Sequence, residues 1–329
     1  MSRPTHFETV TRITPLPILS NGKLSTMLSD SGSGFVRWHG LAVTRWREDP
    51  VTDPWGSFLL LRDNDNGSVW GVTPQPLGVT DPQDAVEHDP GRITFTRRHD
   101  GLDGRLEVAV APTADIELRR LSLRNHADRN RRLSLTTYAE LVLGPVGDDN
   151  AHPAFSKMFV QTEWDGEHQL LLANRRRRSD SQAQVWAAQA LQVEGAARTD
   201  ITHETDRAHF LGRGRTLRNA AAMQAGATLA GTAGCVLDPV FSLRHEFTLA
   251  PGESIQLLLW TQLADTRDGA LALVAQLQNH AAAAQLFAEA EQHAAAERKR
   301  LGIDAAQVER FAHWQHALLI SDASQRASA

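Results

Sequence analysis

The residues between Gly34 and Phe58 hold the densest set of side chains able to do chemistry. Arg37, Trp38, Trp46, Arg47, Asp49, Asp53 and Trp55 all fall in this stretch, which carries three of the chain's eight tryptophans. Indole faces stack on the C–H surfaces of pyranose rings, and charged or amide side chains bind the hydroxyls, so the mixture suits a saccharide. A plainer reading stands beside it, in which the tryptophans pack a sheet and the charges settle turns. Cleavage of a glycosidic bond usually needs an acid and a second carboxylate at a defined separation. Asp49 and Asp53 are candidates by position, but their setting beside Pro50 and Pro54 reads as a loop of turn-forming aspartates.

Other motifs point to less. His203-Glu204 followed by His209 lacks the four-residue spacing that puts two zinc ligands on one helical face. His313 and His316 can meet on a helix but have no evident third ligand, so no metal is expected. Gly212-Arg213-Gly214-Arg215 lacks the third glycine of a dinucleotide loop, and Gly32-Ser33-Gly34 lacks the pentapeptide of a nucleophile elbow. The run Arg175-Arg176-Arg177-Arg178 reads as a solvated loop that could also meet an acidic surface of another domain.

The elements that must position these residues are strands. Ile93–Thr96 and Leu106–Val110 alternate around an Asp100–Gly104 turn, which predicts a hairpin. Ile116–Arg124 and Leu133–Leu143, separated by a polar turn at 125–130, predict a second one. Further strands are expected at Phe159–Glu163, Gln169–Ala173, Val185–Val193 and Glu253–Gln262. Strand after strand from about Thr11 to Leu263, with no interleaved helix pattern, indicates a mainly β, large antiparallel sandwich. From Gly269 to Arg300 the chain turns Ala-rich with apolar residues at helical spacing. Gly302 then reads as a C-cap, Asp304 as an N-cap, and Val308 to Leu319 as a last amphipathic helix. The predicted division is a β-sandwich over 1–264, a helical linker over 265–320 and a frayed tail over 321–329.

A hydrophobic share of 41% over 329 residues supports a sizeable core. The net charge of −5 gives no reason to expect nucleic acid or an anionic membrane as partner. Cys235 cannot form an internal disulfide, and its apolar neighbours Ala233, Val236 and Leu237 predict a buried thiol in a reducing compartment. Met1 to Thr11 contains no apolar run of signal-peptide length. Cytoplasmic residence is expected, either free or as the soluble part of an inner-membrane protein.

Several runs resemble one family. They are Leu19-Ser20-Asn21-Gly22-Lys23, Gly32-Ser33-Gly34 into Arg37-Trp38, Leu41 to Asp49, Asp53, Trp55-Gly56 and Leu61-Arg62-Asp63. Tyr138-Ala139-Glu140, His152 to Val160, Glu204-Thr205-Asp206-Arg207, Phe210 to Arg215 and Asp238 to Arg244 continue the likeness. Together they resemble the β-supersandwich of the cellobiose/chitobiose phosphorylase family, glycoside hydrolase family 94, in the form found in cyclic β-1,2-glucan synthases.

The resemblance implies a galactose-mutarotase-like supersandwich followed by linker α-helices. In that family the sandwich and linker lead into a helical barrel, where an aspartate acts as general acid and inorganic phosphate attacks the anomeric carbon. No cofactor is implied, and phosphate enters only as co-substrate of the full enzyme. No barrel residues are recognisable here, so no catalytic residue carries over. Arg37, Trp38, Trp46, Arg47, Asp49, Asp53, Trp55, His152 and Phe155 become candidates for framing substrate or meeting the barrel. The implied partners are a β-glucan oligosaccharide, a catalytic barrel in the same or a companion chain, and a second copy, with Phe311, Trp314 and Leu318 as an exposed contact patch. The alternatives are a free-standing carbohydrate-binding protein, or an autonomous enzyme using a sandwich carboxylate such as Asp49, Asp53 or Glu140.

Overall fold

In the computed structural model, residues 16–49, 51–180, 182–194, 200–279 and 281–321 are described. The expectations for Met1–Thr11, for Pro50 and for most of the polar tail lie outside them.

Two antiparallel sheets face each other. The first contains β1 (Ile18–Ser20), β2 (Leu24–Leu28), β3 (Gly34–Trp38), β4 (Leu41–Thr44), β5 (Ser57–Asp63) and β6 (Val69–Trp70) from the N-terminal part. The second begins with β7 (Ala85–Asp89), β8 (Arg92–His99), β9 (Leu102–Val110) and β10 (Ile116–Asn125). The chain then returns to the first sheet with β11 (Arg131–Gly144), and goes back to the second with β12 (Val160–Asp165), β13 (Leu170–Arg175) and β14 (Trp186–Val193). β15 (Thr202–Asp206) and β16 (Pro239–Leu249) complete the first sheet, and β17 (Ser254–Ala264) lies at the middle of the second. The strands run β1-β2-β3-β4-β11-β16-β15, with β5 and β6 beside β11, against β12-β13-β14-β17-β10-β9-β8-β7.

Side-chain alternation sets the layers. Leu24, Val36, Trp38, Leu59, Leu61, Leu133 and Leu135 point inward from the first sheet to meet Phe95, Leu106, Val108, Leu121 and Leu259 from the second. Each leucine so buried contributes about 1.5–3 kcal/mol of transfer free energy. The outer faces are covered too. Phe58, Leu60, Tyr138 and Val240 on the first sheet lie under Phe210, Leu211, Ala222 and Met223 of the 207–229 segment. On the second, Leu118, Leu258 and Trp260 lie under the C-terminal helices.

The Asp100–Gly101 hairpin is present, with β8 and β9 in register from Ile93↔Val108 to His99↔Leu102 and both turn residues at positive φ. The second expected hairpin is not formed. β10 pairs with β9 and β17, whereas β11 pairs with β4, β5 and β16, so the turn at 125–130 carries the chain from one sheet to the other. The Asn125 amide holds that crossing by donating to the carbonyls of Arg129, Leu249 and Ala250.

Helices do interrupt the strands. α1 (Val146–Ala151) and α2 (Pro153–Lys157) separate β11 from β12, and α3 (Arg207–Leu211) follows β15. Two further expectations are corrected. Cys235 is exposed and free, because its loop runs over the surface. Arg175 is not in a solvated loop: it ends β13, is buried, and its guanidinium donates to the carbonyls of Val142 and Ser156.

After β17 come α4 (Arg267–Leu271), α5 (Leu273–Gln278), α6 (Ala282–Leu301) and α7 (Ala305–Leu319). Gly302 closes α6 in the left-handed conformation, and Asp304 with Gln307 forms a capping box that starts α7. α6 buries Leu286, Phe287 and Ala290 against the second sheet. α7 turns back to the first: the Leu16 N–H donates to the Ala312 carbonyl, and Leu319 packs beside Met27, Phe35 and Trp46. No helix among the described residues is long and apolar enough to cross a membrane.

Candidate functional site

Outward-facing residues of β11 begin the site. Glu140 is buried and accepts from three donors: Arg45 Nη1 at 2.5 Å, Arg207 Nε at 2.7 Å and Tyr138 Oη at 2.8 Å. Arg45 is itself buried just beyond β4. It holds Asp149 of α1 in a bidentate pair at 2.9 and 3.0 Å, and its backbone N–H donates to the Glu140 carbonyl. Asp238 joins from the loop before β16, paired to Lys157 at 2.7 Å and to Arg207 at 3.4 Å. Burial pushes the Glu140 carboxyl up, but the Arg207 and Arg45 charges outweigh it and hold the carboxyl below the usual carboxylate range. Burial likewise opposes charge on Arg45 and Arg207, and their carboxylate partners overcome it and raise both guanidinium pKa values.

This network underlies a cleft of about 450 Å³, within the range of small-ligand sites. Its walls are Thr52, Pro54 and Trp55 from the loop after β4, Gln75 and Pro76 from the loop after β6, and Arg215 to Arg218 after α3. Glu140, Tyr138 and Arg207 form its base. Gln75 Nε2 donates to the Thr52 carbonyl, tying two of these loops together. An aromatic face, proline surfaces and arginine donors therefore converge on one concavity.

The nine candidate side chains have different fates. Trp55 lines the cleft. Arg47 reaches the edge of the ionic network, donating to the Asp149 carbonyl at 3.1 Å. Arg37 and Trp46 lie on the α7 side: Arg37 sits 4.1 Å over the Phe35 ring, and Trp46 meets Phe35 edge-on at 5.6 Å. Trp38 is buried between the sheets, where its Nε1 donates to Asp115 at 2.8 Å, so it presents no face to a sugar or another domain. Asp49 caps its own turn by accepting from Val51, Thr52 N–H and Thr52 Oγ1. Asp53, at φ +39°, turns towards Ser31 and Ser33, and burial raises its carboxyl above the usual range against the hydroxyls that bond it. Asp49 and Asp53 thus do not face each other across the cleft. His152 joins α1 to α2 and is exposed, and Phe155 is 49% exposed with its ring against Phe159.

Sequence reasoning left Arg45, Asp149, Lys157 and Asp238 out as an ionic set, and did not bring Arg215 and Arg218 to Trp55. Arg45, Arg207 and Arg215 do stand within the family-like runs, which was the available signal. Their partners are distant in the chain, as with Glu140, 95 positions from Arg45.

No metal-ligating group of three or more residues occurs among the described residues. His203 and Glu204 diverge on β15. Glu204 accepts from the N–H groups of Thr205 and Asp206, and His203 stacks on Trp164 with ring centroids 4.2 Å apart. Burial lowers the His203 pKa below its ordinary 6.5, as it does for His99. The unfolded chain therefore takes up protons more readily than the fold does as pH falls. Stability from these groups is fully present above pH 6.5 and is lost as pH falls through that value towards the lowered folded pKa. Urea midpoints measured between pH 8 and 5.5 should decline on the acid side, and His203→Gln should flatten part of that decline.

Comparison with known proteins agrees with this architecture. The model for "Glycosyl hydrolase 94, supersandwich domain" matches residues 6–280. The cyclic beta-(1,2)-glucan synthase NdvB of Rhizobium meliloti (strain 1021) is 37% identical over 252 residues, covering 77% of this chain and 9% of that protein. An N,N'-diacetylchitobiose phosphorylase of Vibrio proteolyticus is 23% identical over 72% of this chain and 29% of its own length. The chain thus spans less than a third of either relative. Among solved structures, a bacterial glucoamylase complexed with acarbose superposes with a TM-score of 0.50 at 9% identity, over 84% of this chain and 36% of that one. A galactose mutarotase related enzyme from Lactobacillus acidophilus gives a TM-score of 0.38 at 10% identity, over 76% and 97%. With the match extending from residue 6 to residue 280 of 329, the chain belongs to the glycosyl hydrolase 94 supersandwich-domain family.

Proposed function

We propose that this chain is a non-catalytic module of a β-1,2-glucan-active enzyme, in which sandwich and linker helices hold glucan beside a helical catalytic barrel. The observation that carries the reading is the make-up of the cleft. Trp55 supplies a stacking face, and Glu140, the one carboxylate lining it among the described residues, is committed to two arginines and a tyrosine. A general acid needs a raised pKa and a proton to give, and Glu140 has been driven the other way. Such a cleft binds sugar without cleaving it. Inorganic phosphate would serve as co-substrate only at the barrel.

The barrel-facing surface in this reading is α7, where Phe311, Trp314 and Leu318 are 39%, 56% and 84% exposed. The same stripe offers a contact for a second copy. A free, exposed cysteine is in keeping with a reducing cytoplasm, either for the chain alone or as part of an inner-membrane protein.

Calorimetric titration with β-1,2-linked gluco-oligosaccharides tests the proposal. Saturable binding is expected, weakened at least tenfold by Trp55→Ala, with no phosphorolysis by this chain alone. Turnover abolished by Glu140→Gln would defeat the module reading. Absence of binding at millimolar sugar would remove the glucan-holding role.

A further inference from the structure

The cleft carries more positive charge than a neutral sugar requires. Arg207, Arg215 and Arg218 line it against Glu140 alone. Arg207 is matched, through Glu140 and Asp238. Arg45, behind the cleft, is matched by Asp149 and Glu140. Among the described residues Arg215 and Arg218 have no carboxylate partner, and the one hydrogen bond of the Arg215 guanidinium runs from Nη1 to the Asn219 carbonyl at 3.1 Å. Three guanidinium groups against one carboxylate leave a formal charge of about +2 facing the ligand space.

Both unmatched arginines are placed by the fold. Arg218 lies over Gly78, where an added β-carbon would come within 2.6 Å of Nη2, so the missing side chain admits the guanidinium. The stem of Arg215 passes Gly212, whose added β-carbon would lie 3.4 Å from Cδ. The segment between them is fixed by a Thr216–Asn219 capping box. Guanidinium forks match the geometry of phosphate oxygens, and a phosphate monoester carries about −1.5 to −2 charge at pH 7, which complements the surplus.

We infer that the cleft between the Trp55 loop and the Arg215–Arg218 segment binds a phosphorylated saccharide, with Trp55 against the sugar ring and Arg215 and Arg218 on the phosphate. The inference rests on the saccharide reading of the same cleft and adds the charge of its ligand. Hydroxyl recognition of a neutral sugar would be served by a balanced set of acids, amides and arginines, and the cleft is instead poor in carboxylates.

The test is calorimetric titration of the full chain with glucose, glucose 6-phosphate and inorganic phosphate, at low and high salt. Glucose 6-phosphate is expected to bind at least tenfold more tightly than glucose, with the advantage shrinking as salt rises. The double variant Arg215→Ala/Arg218→Ala should abolish that advantage, and because both arginines are exposed it should not disturb the fold. Trp55→Ala should weaken both sugars. Its thermal unfolding and that of the double variant, matched to the parent, confirm intact folds. Equal affinity for the two sugars, or a phosphate advantage that survives the double variant, overturns the inference while leaving a neutral-glucan cleft standing. Inorganic phosphate binding as tightly as glucose 6-phosphate overturns it as well, since the sugar would then contribute nothing. If none of the three binds, the saccharide reading of the cleft falls with it.

Discussion

Replacing Arg45 with alanine should cost about 3–5 kcal/mol of folding stability, the range for removing one partner of a buried ion pair. The reason lies in what remains. Glu140 and Asp149 are both buried, and Arg45 gives three of the hydrogen bonds that satisfy them. Glu140 would keep Arg207 and Tyr138, but Asp149 would lose its bidentate partner and keep the looser pair with Arg47, whose Nη2 lies 3.6 Å from its carboxylate. Arg45→Lys should recover part of the loss, since an ammonium keeps the charge but cannot reproduce the fork on Asp149. Glu140→Gln should cost less than Arg45→Ala, because Arg45 stays paired with Asp149 and Arg207 with Asp238. Glu140→Gln should also change the acid limb of unfolding. The Glu140 carboxyl is held below its ordinary 4.5, so its stabilisation is present above that value and fades as pH falls through the lowered one. Urea unfolding of the three variants settles the order. An Arg45→Ala loss below about 1 kcal/mol would mean that the network is not a buried one.

Legibility in the sequence followed the range of the interactions. The β8–β9 hairpin could be read because its determinants, alternating apolar residues around Asp100-Gly101, lie within the segment itself. The α6 end and α7 start were readable for the same reason: Gly302, Asp304 and Gln307 act on their own backbone. The crossing at 125–130 was not, since turn chemistry specifies a reversal but not which sheet receives the next strand. That choice is made by Asn125 bonding to carbonyls 124 and 125 positions away. Trp38 and Trp55 look equivalent in the chain, each flanked by glycine and charged residues. What separates them is Asp115, which lies 77 positions from Trp38 and holds its indole inside the sandwich. The charged residues divided likewise. Asp49 was legible as a turn residue through its neighbours Val51 and Thr52, whereas the roles of Arg45, Asp149 and Asp238 exist only once β4, α1 and the loop before β16 have met.

Gly34→Ala should be at least as damaging as loss of Arg45, and for a steric reason. A β-carbon on Gly34 would stand 1.8 Å from the carbonyl oxygen of Met27 and 2.8 Å from its carbon. Both are backbone atoms of the paired strand β2, so no rotamer change relieves the clash. Either the β2–β3 register opens, or β3 withdraws from the inner layer that Val36 and Trp38 occupy. Overpacking relieved by side-chain movement costs about 1–3 kcal/mol, and a clash with fixed backbone exceeds that range. The damage should reach the cleft as well, because the Gly34 N–H donates to the Trp55 carbonyl at 2.9 Å and so anchors the loop that carries the indole. Gly147→Ala is the control. Nothing lies within 4 Å of the β-carbon it would add, its φ is not positive, and α1 should gain up to about 1 kcal/mol from the better helix former. The expected pair of results is a parent-like or raised midpoint for Gly147→Ala, with a lost or strongly lowered one for Gly34→Ala. A Gly34→Ala protein of parental stability would show that β2 and β3 do not pair as described, and would separate the Trp55 loop from the strand to which it is bonded.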